Sequence, residues 1–187
     1  YIEAVNVDDL NKHIQFFSAM IEHRLRNLHW PNGMPLVKIP TIDSNDESRG
    51  PVIPVLFLTP SGSLLPHKIV ERMFVKKGIC ARTGCFCNPG SGLQMLFSFL
   101  ETFGHSGQDD FVDKHMMALK ETNRVEEFLT ANAHQGMVRI SVGLPTNTAD
   151  VNALIDCIKE DILAKPFEIE RMSNVYKAKG PVPYSKC

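Results

Sequence analysis

The sequence predicts an α/β fold: a small, mostly antiparallel sheet of about four strands, packed with helices on one face. Three observations lead there. Leu10, Ile14, Phe17, Ile21, Leu25 and Leu28 recur at spacings of four and three, the stripe of a long amphipathic helix. Residues 52–58 form a nearly continuous apolar run between Gly50-Pro51 and Pro60-Ser61-Gly62, as a buried strand does. Residues 137–142 are β-branched enough for another strand, and Asn147 with Asp150 then opens an amphipathic helix. Helices interleaved with short strands must bury one face of a sheet.

The elements follow in order. Asn6 and Asp8 are caps for the first helix, which Trp30-Pro31-Asn32-Gly33 breaks. Leu36-Val37-Lys38-Ile39 reads as a short strand, and the polar residues 40–50 as a loop. Pro54 confines the strand at 52–58 to an edge or a bulge, because proline has no N–H for a ladder. Pro66 starts a helix of about three turns, with Ile69, Val70, Met73 and Phe74 inside and Gly78 beyond its end. Ile79-Cys80-Ala81 is a brief strand, and residues 82–92, with their glycines and Pro89, are a loop. Helical spacing returns from Leu93 to Phe103 and again after Asp109-Asp110. Val151, Leu154, Ile155, Ile158 and Ile162 mark the helix after Asn147. From Ala164 the periodicity fades, and Lys177, Lys179, Gly180, Pro181 and Pro183 suggest a tail or linker. The expected division is one domain over residues 1–163 and a tail over 164–187.

Of 187 residues, 43% are hydrophobic and 22% charged, proportions that suit one globular core. A net charge of -1 gives no basic excess to draw the chain to nucleic acid or to an anionic membrane. No apolar run approaches the roughly 20 residues that span a bilayer, and the first residues are unlike a signal peptide, so a cytoplasmic location is expected. The start at Tyr1 suggests a piece of a longer protein. No glycine-rich phosphate loop and no internal repeat occur.

Chemistry concentrates in Gly78-Ile79-Cys80-Ala81-Arg82-Thr83-Gly84-Cys85-Phe86-Cys87-Asn88-Pro89-Gly90. Cys85 and Cys87 sit beside Arg82 and ahead of a helix expected to begin near Ser91 or Gly92. A helix N-terminus and a nearby cation both favour thiolate over thiol, which makes a nucleophile at neutral pH. Cys80 and Cys157 read instead as small core hydrophobes, the usual role of cysteine, and Cys187 is terminal. Five cysteines without framework spacing are expected to be thiols. A zinc site on Cys80, Cys85 and Cys87 is the competing reading, but no second ligand pair occurs, so no metal is assigned. The seven histidines are scattered and read as surface or helix-face residues. Lys68, within Pro66-His67-Lys68, imitates a Schiff-base site yet lies early in a helix, and reads as a solvated residue.

Arg82-Thr83-Gly84-Cys85-Phe86-Cys87-Asn88-Pro89-Gly90 resembles the signature of the molybdenum cofactor sulfurases. Its Arg-Thr-Gly-x-x-Cys core is similar to that of the cysteine desulfurases of the class V aminotransferase superfamily. Leu28-His29-Trp30-Pro31-Asn32-Gly33-Met34-Pro35-Leu36-Val37 and Gly136-Met137-Val138-Arg139-Ile140-Ser141-Val142-Gly143 resemble further stretches of that family, in order. The likeness runs over roughly residues 5–163. It departs after Pro89-Gly90, where the family continues Ala-Cys and this chain has Ser91-Gly92.

The resemblance implies the small C-terminal domain of a fold type I pyridoxal phosphate enzyme. It implies a sulfurase that takes sulfur from L-cysteine as a protein persulfide and passes it to molybdenum cofactor. Cys87 aligns with the nucleophile, and Cys85 occupies the variable position before it. Arg139 aligns with the residue that grips the substrate carboxylate, and Arg82 is expected to position the loop or the cofactor surroundings. The Schiff-base lysine belongs to a large domain upstream, so this chain alone is expected to be inactive and to hold no pyridoxal phosphate covalently. A homodimer stays open. A sulfur carrier or pseudoenzyme, and a cysteine-based metal module, are the alternative functions.

Overall fold

A computed structural model describes residues 6–39, 50–84 and 136–178 of the chain. The helices expected from Leu93 and after Asp109-Asp110 lie outside those residues, as do Cys85 and Cys87. Helix α1, Val7–Arg26, begins where the Asn6 side chain accepts a hydrogen bond from the Asp8 amide. Its stripe buries Phe17, Ile21 and Leu25, with Ile14 half-buried. The chain then reverses through Trp30 and Gly33, and the buried Trp30 indole donates to the Leu58 carbonyl at 3.1 Å.

Strand β1, Val37–Lys38, pairs with β2, Val52–Phe57; β3 is Arg82–Gly84 and β4 is Met137–Ser141. The sheet order is β1-β2-β4-β3, and every neighbour is antiparallel. Pro54 sits inside a central strand rather than on an edge. It is tolerated because β1 pairs only with Leu56 and Phe57, leaving β2 without a second neighbour at that position.

Helix α2, His67–Lys76, stops at Gly78, whose φ of +72° lets Ile79 turn back and donate to the Phe74 carbonyl. That turn displaces the third strand from its expected place. Ile79-Cys80-Ala81 spans the gap from α2 to the sheet, and pairing starts at Arg82, opposite Arg139. Arg82 is therefore a strand residue, not a loop residue.

A reciprocal cap links Asn147 and Asp150 and starts α3, Thr148–Ile158, which continues as one wider turn over Lys159–Leu163. Residues 166–178, expected to be the start of a linker, form helix α4, Pro166–Ala178, with Ile169 and Ser173 fully buried. Ser61 donates its amide and its hydroxyl to Glu170, tying α4 to the turn after β2. The core lies on one face of the sheet: Ile53, Val55, Val138 and Ile140 pack with Ile21 and Leu25 of α1, Val70 and Phe74 of α2, and Ile155 and Ile158 of α3. The alternate residues, Pro54, Arg139 and Arg82, fall on the other face. No described helix is long and apolar enough to cross a membrane.

Candidate functional site

Two antiparallel strands set the site. Arg82 and Arg139 are direct partners across β3 and β4, and residues so paired point to the same side of the sheet. Arg82 is exposed and Arg139 half-buried. Two guanidinium groups at one register position make this part of the face cationic, and each offers a planar fork that fits a carboxylate. Thr83 and Gly84 follow, opposite Val138 and Met137. Gly84 is directly followed in sequence by Cys85, and Gly136 directly precedes Met137. The segment that holds both cysteines thus leaves the described fold and rejoins it at one end of the β3–β4 pair.

Helix α2 supplies the floor at that end. Lys68 Nζ lies 2.8 Å from Glu71 Oε2, with the lysine side chain about half exposed. The Lys68 ammonium and, more weakly, a hydrogen bond from Thr83 hold the Glu71 carboxyl below its usual range, against the opposing effect of burial. Glu71 therefore ties α2 to β3, and Lys68, expected to be a solvated helix residue, is half exposed and also ion-paired with Glu71.

His67 corrects the expectation of a surface histidine: it is 4% exposed. Its Nδ1 accepts a 2.9 Å hydrogen bond from the Gly136 amide. Nothing in the spacing of His67 signals this, because the partner lies 69 residues away. The one local hint is its place right after Pro66, in the first turn of α2, where the helix start approaches the sheet edge.

The other cysteines divide. Cys157 is buried as expected, and burial pushes its thiol above the usual range, so it is an inert core residue. Cys80, read as a core hydrophobe, is exposed. It lines a cleft of about 560 Å³ with Lys77, Ser141, Asn147 and Asp150, which does not include Arg82 or Arg139. Among the described residues no three histidine, cysteine or acidic side chains gather as a metal site.

No family model and no solved structure matches the chain. Curated relatives do. A molybdenum cofactor sulfurase of Drosophila melanogaster is 31% identical over 172 residues, which cover 89% of this chain and 20% of that protein. One from Aspergillus fumigatus is 25% identical over 189 residues, 95% of the chain and 20% of the relative. One from Bos taurus is 29% identical over 151 residues, 80% and 16%. The chain spans about a fifth of the length of the curated relatives it matches. Agreement along most of the chain with proteins of one name from fly, fungus and cow places it: this chain belongs to the molybdenum cofactor sulfurase family.

Proposed function

We propose that this chain is the cysteine-bearing part of a pyridoxal phosphate-dependent sulfurase that sulfurates molybdenum cofactor. The observation that carries the reading is the kinship with proteins of that name, together with the Arg82–Arg139 pair at the root of the cysteine segment. The proposed small domain covers residues 1–163, with α4 as the packed start of the connection onward.

The described residues do not form a seat for pyridoxal phosphate. Lys68, the lysine in the motif that imitates such a site, has a half-exposed side chain and is engaged by Glu71. The cofactor is assigned to the part of the parent protein outside this chain, where it supplies an electron sink for the carbon skeleton of the substrate. The residues of this chain bind and take the sulfur. Arg139 holds the carboxylate of L-cysteine through a bidentate pair, and Arg82 adds positive charge beside it. The Cys87 thiolate attacks the substrate sulfur, and a new S–S bond forms as the C–S bond breaks. The electron pair of the broken bond goes to carbon, which takes up a proton and leaves as alanine. The persulfide retains the sulfur at its sulfane level, so no external oxidant is needed before transfer to the acceptor.

Supplying L-cysteine and pyridoxal phosphate to the full-length protein, then alkylating and digesting it, tests the reading. A persulfide is expected on the peptide that follows Arg82, with alanine formed in equal amount. Sulfane sulfur only on Cys80 or Cys157, or none at all, would sink it. In the same protein, Arg139→Ala is expected to raise KM for L-cysteine about thirtyfold by removing a charge-assisted bidentate contact, and Arg139→Lys to recover only part of the loss. An unchanged KM in Arg139→Ala removes this residue from the substrate site.

A further inference from the structure

We propose that His67 is a positioning residue for the sulfur-transfer reaction, a clasp that fixes the two chain ends between which the reactive cysteines lie. The inference rests on the reading of Cys85 and Cys87 given above, but the geometry is independent of it. Gly84 and Gly136 are the last described residues on either side of the cysteine segment, and both lie against one buried imidazole. The Gly136 amide donates to Nδ1 at 2.9 Å. A Cβ on Gly136 would stand 2.5 Å from Nδ1, 2.8 Å from Cε1 and 2.7 Å from the Gly84 Cα, so ring and both glycines are in mutual contact. A Cβ on Gly84 would lie 3.7 Å from Nε2.

The chemistry explains why histidine stands there. Among the described residues the pairing of β3 with β4 runs as far as Gly84 and Met137, and the acceptor of the Gly136 amide is the His67 ring. A part-buried amide needs one, and a ring nitrogen offers it without a Cβ-sized intrusion from either strand. Because Nδ1 accepts, the proton of the neutral ring sits on Nε2. Among the described groups, Glu71 on α2 is within electrostatic reach of the ring, whereas Arg82 and Arg139 fall on the face of the sheet away from α2. Glu71 is itself held by Lys68 and Thr83, so α2, β3 and the return of the chain at Gly136 form one joint. The clasp lies two residues beyond Arg82 on β3 and three before Arg139 on β4, and it holds Gly84, to which Cys85 is joined in sequence.

Three measurements on the full-length protein decide the proposal. In the wild type, nitrogen NMR is expected to find Nε2 protonated and Nδ1 bare. In His67→Leu, amide exchange at Gly136 is expected to accelerate about tenfold with the loss of its acceptor. Alkylation rates of Cys85 and Cys87 are expected to change at least about twofold, while exposed Cys80 reacts as before. His67→Asn, whose Oδ1 can stand where Nδ1 stood, is expected to restore both readings, which a merely space-filling role does not require. The proposal is overturned by a ring protonated on Nδ1, by an unchanged Gly136 exchange rate, by unchanged loop thiol rates, or by His67→Asn behaving as His67→Leu. If the leucine variant does not fold, the wild-type spectrum and the asparagine variant still decide. Persulfide absent from both cysteines in the wild type would defeat the functional reading alone, since the Gly136 and thiol measurements do not use turnover.

Discussion

Gly136→Ala is expected to destabilise the fold by about 3 kcal/mol, among the larger effects of a single methyl group. The added carbon would meet two neighbours at distances that non-bonded carbon does not occupy, 2.5 Å from the His67 ring and 2.7 Å from the Gly84 backbone. Neither can give way cheaply. The ring is 4% exposed and bonded to the Gly136 amide, and the Gly84 backbone is paired with Met137 in the sheet. The variant must therefore break the hydrogen bond, open the end of the β3–β4 pair, or both. For a domain of this size that shift lowers the thermal midpoint by roughly 6–12 °C. Gly50→Ala is the matched control, because no described residue comes within 4 Å of its Cβ and its φ lies outside the left-handed region, so its urea midpoint should not fall. Equal midpoints for the two variants would show that the close approach at Gly136 is not a real constraint. A second comparison separates the two neighbours: with His67→Ala in the background, the cost of Gly136→Ala should shrink but not vanish, since the Gly84 contact remains.

What the sequence made legible follows the range of the interactions involved. The stripe of α1, the apolar run of β2 and the Asn147 cap of α3 are local patterns, and each appears where it was expected, with Ile21, Val55 and Ile155 at the core. The third strand was misplaced by three residues because its position depends on a non-local fact, the distance from the end of α2 to β4. Ile79-Cys80-Ala81 has the β-branched and small residues of a strand, yet the Gly78 turn sends it across the gap first. The exposure of Cys80 follows from the same displacement. Helix α4 is missed because the Lys, Gly and Pro residues from 177 to 183 dominate the reading of the tail, although Ile169, Met172 and Tyr176 stand at spacings of three and four and pack on the core. Of the candidate site, Arg82 and Arg139 are proposed from the family motif, and their direct pairing is visible only in the register of β3 and β4. His67 was illegible for the same reason as the strand: a helix residue recognised by an amide 69 positions away leaves no local pattern.

Loss of persulfide formation by at least about three orders of magnitude is expected for Cys87→Ser, because in the proposed reading Cys87 is the thiolate that receives the sulfur. Serine keeps the shape of the side chain, but its hydroxyl is un-ionised at neutral pH and cannot form the S–S bond that holds the product. Cys85→Ser is expected to retain most of the activity. The distinction rests on the motif, in which Cys87 aligns with the nucleophile and Cys85 with the variable position before it. Cys85 is joined directly to Gly84, whose place is fixed by Met137 across the sheet and by the His67 ring, whereas Cys87 stands two residues further from that anchor. The measurement is sulfane sulfur on the alkylated peptide, with alanine release as the second readout. Persulfide kept in Cys87→Ser and lost in Cys85→Ser would transfer the role to Cys85, and persulfide lost only when both are replaced would make the two thiols interchangeable. Persulfide at the wild-type level in the double variant would remove sulfur capture from this segment altogether, and with it the proposed function of the chain.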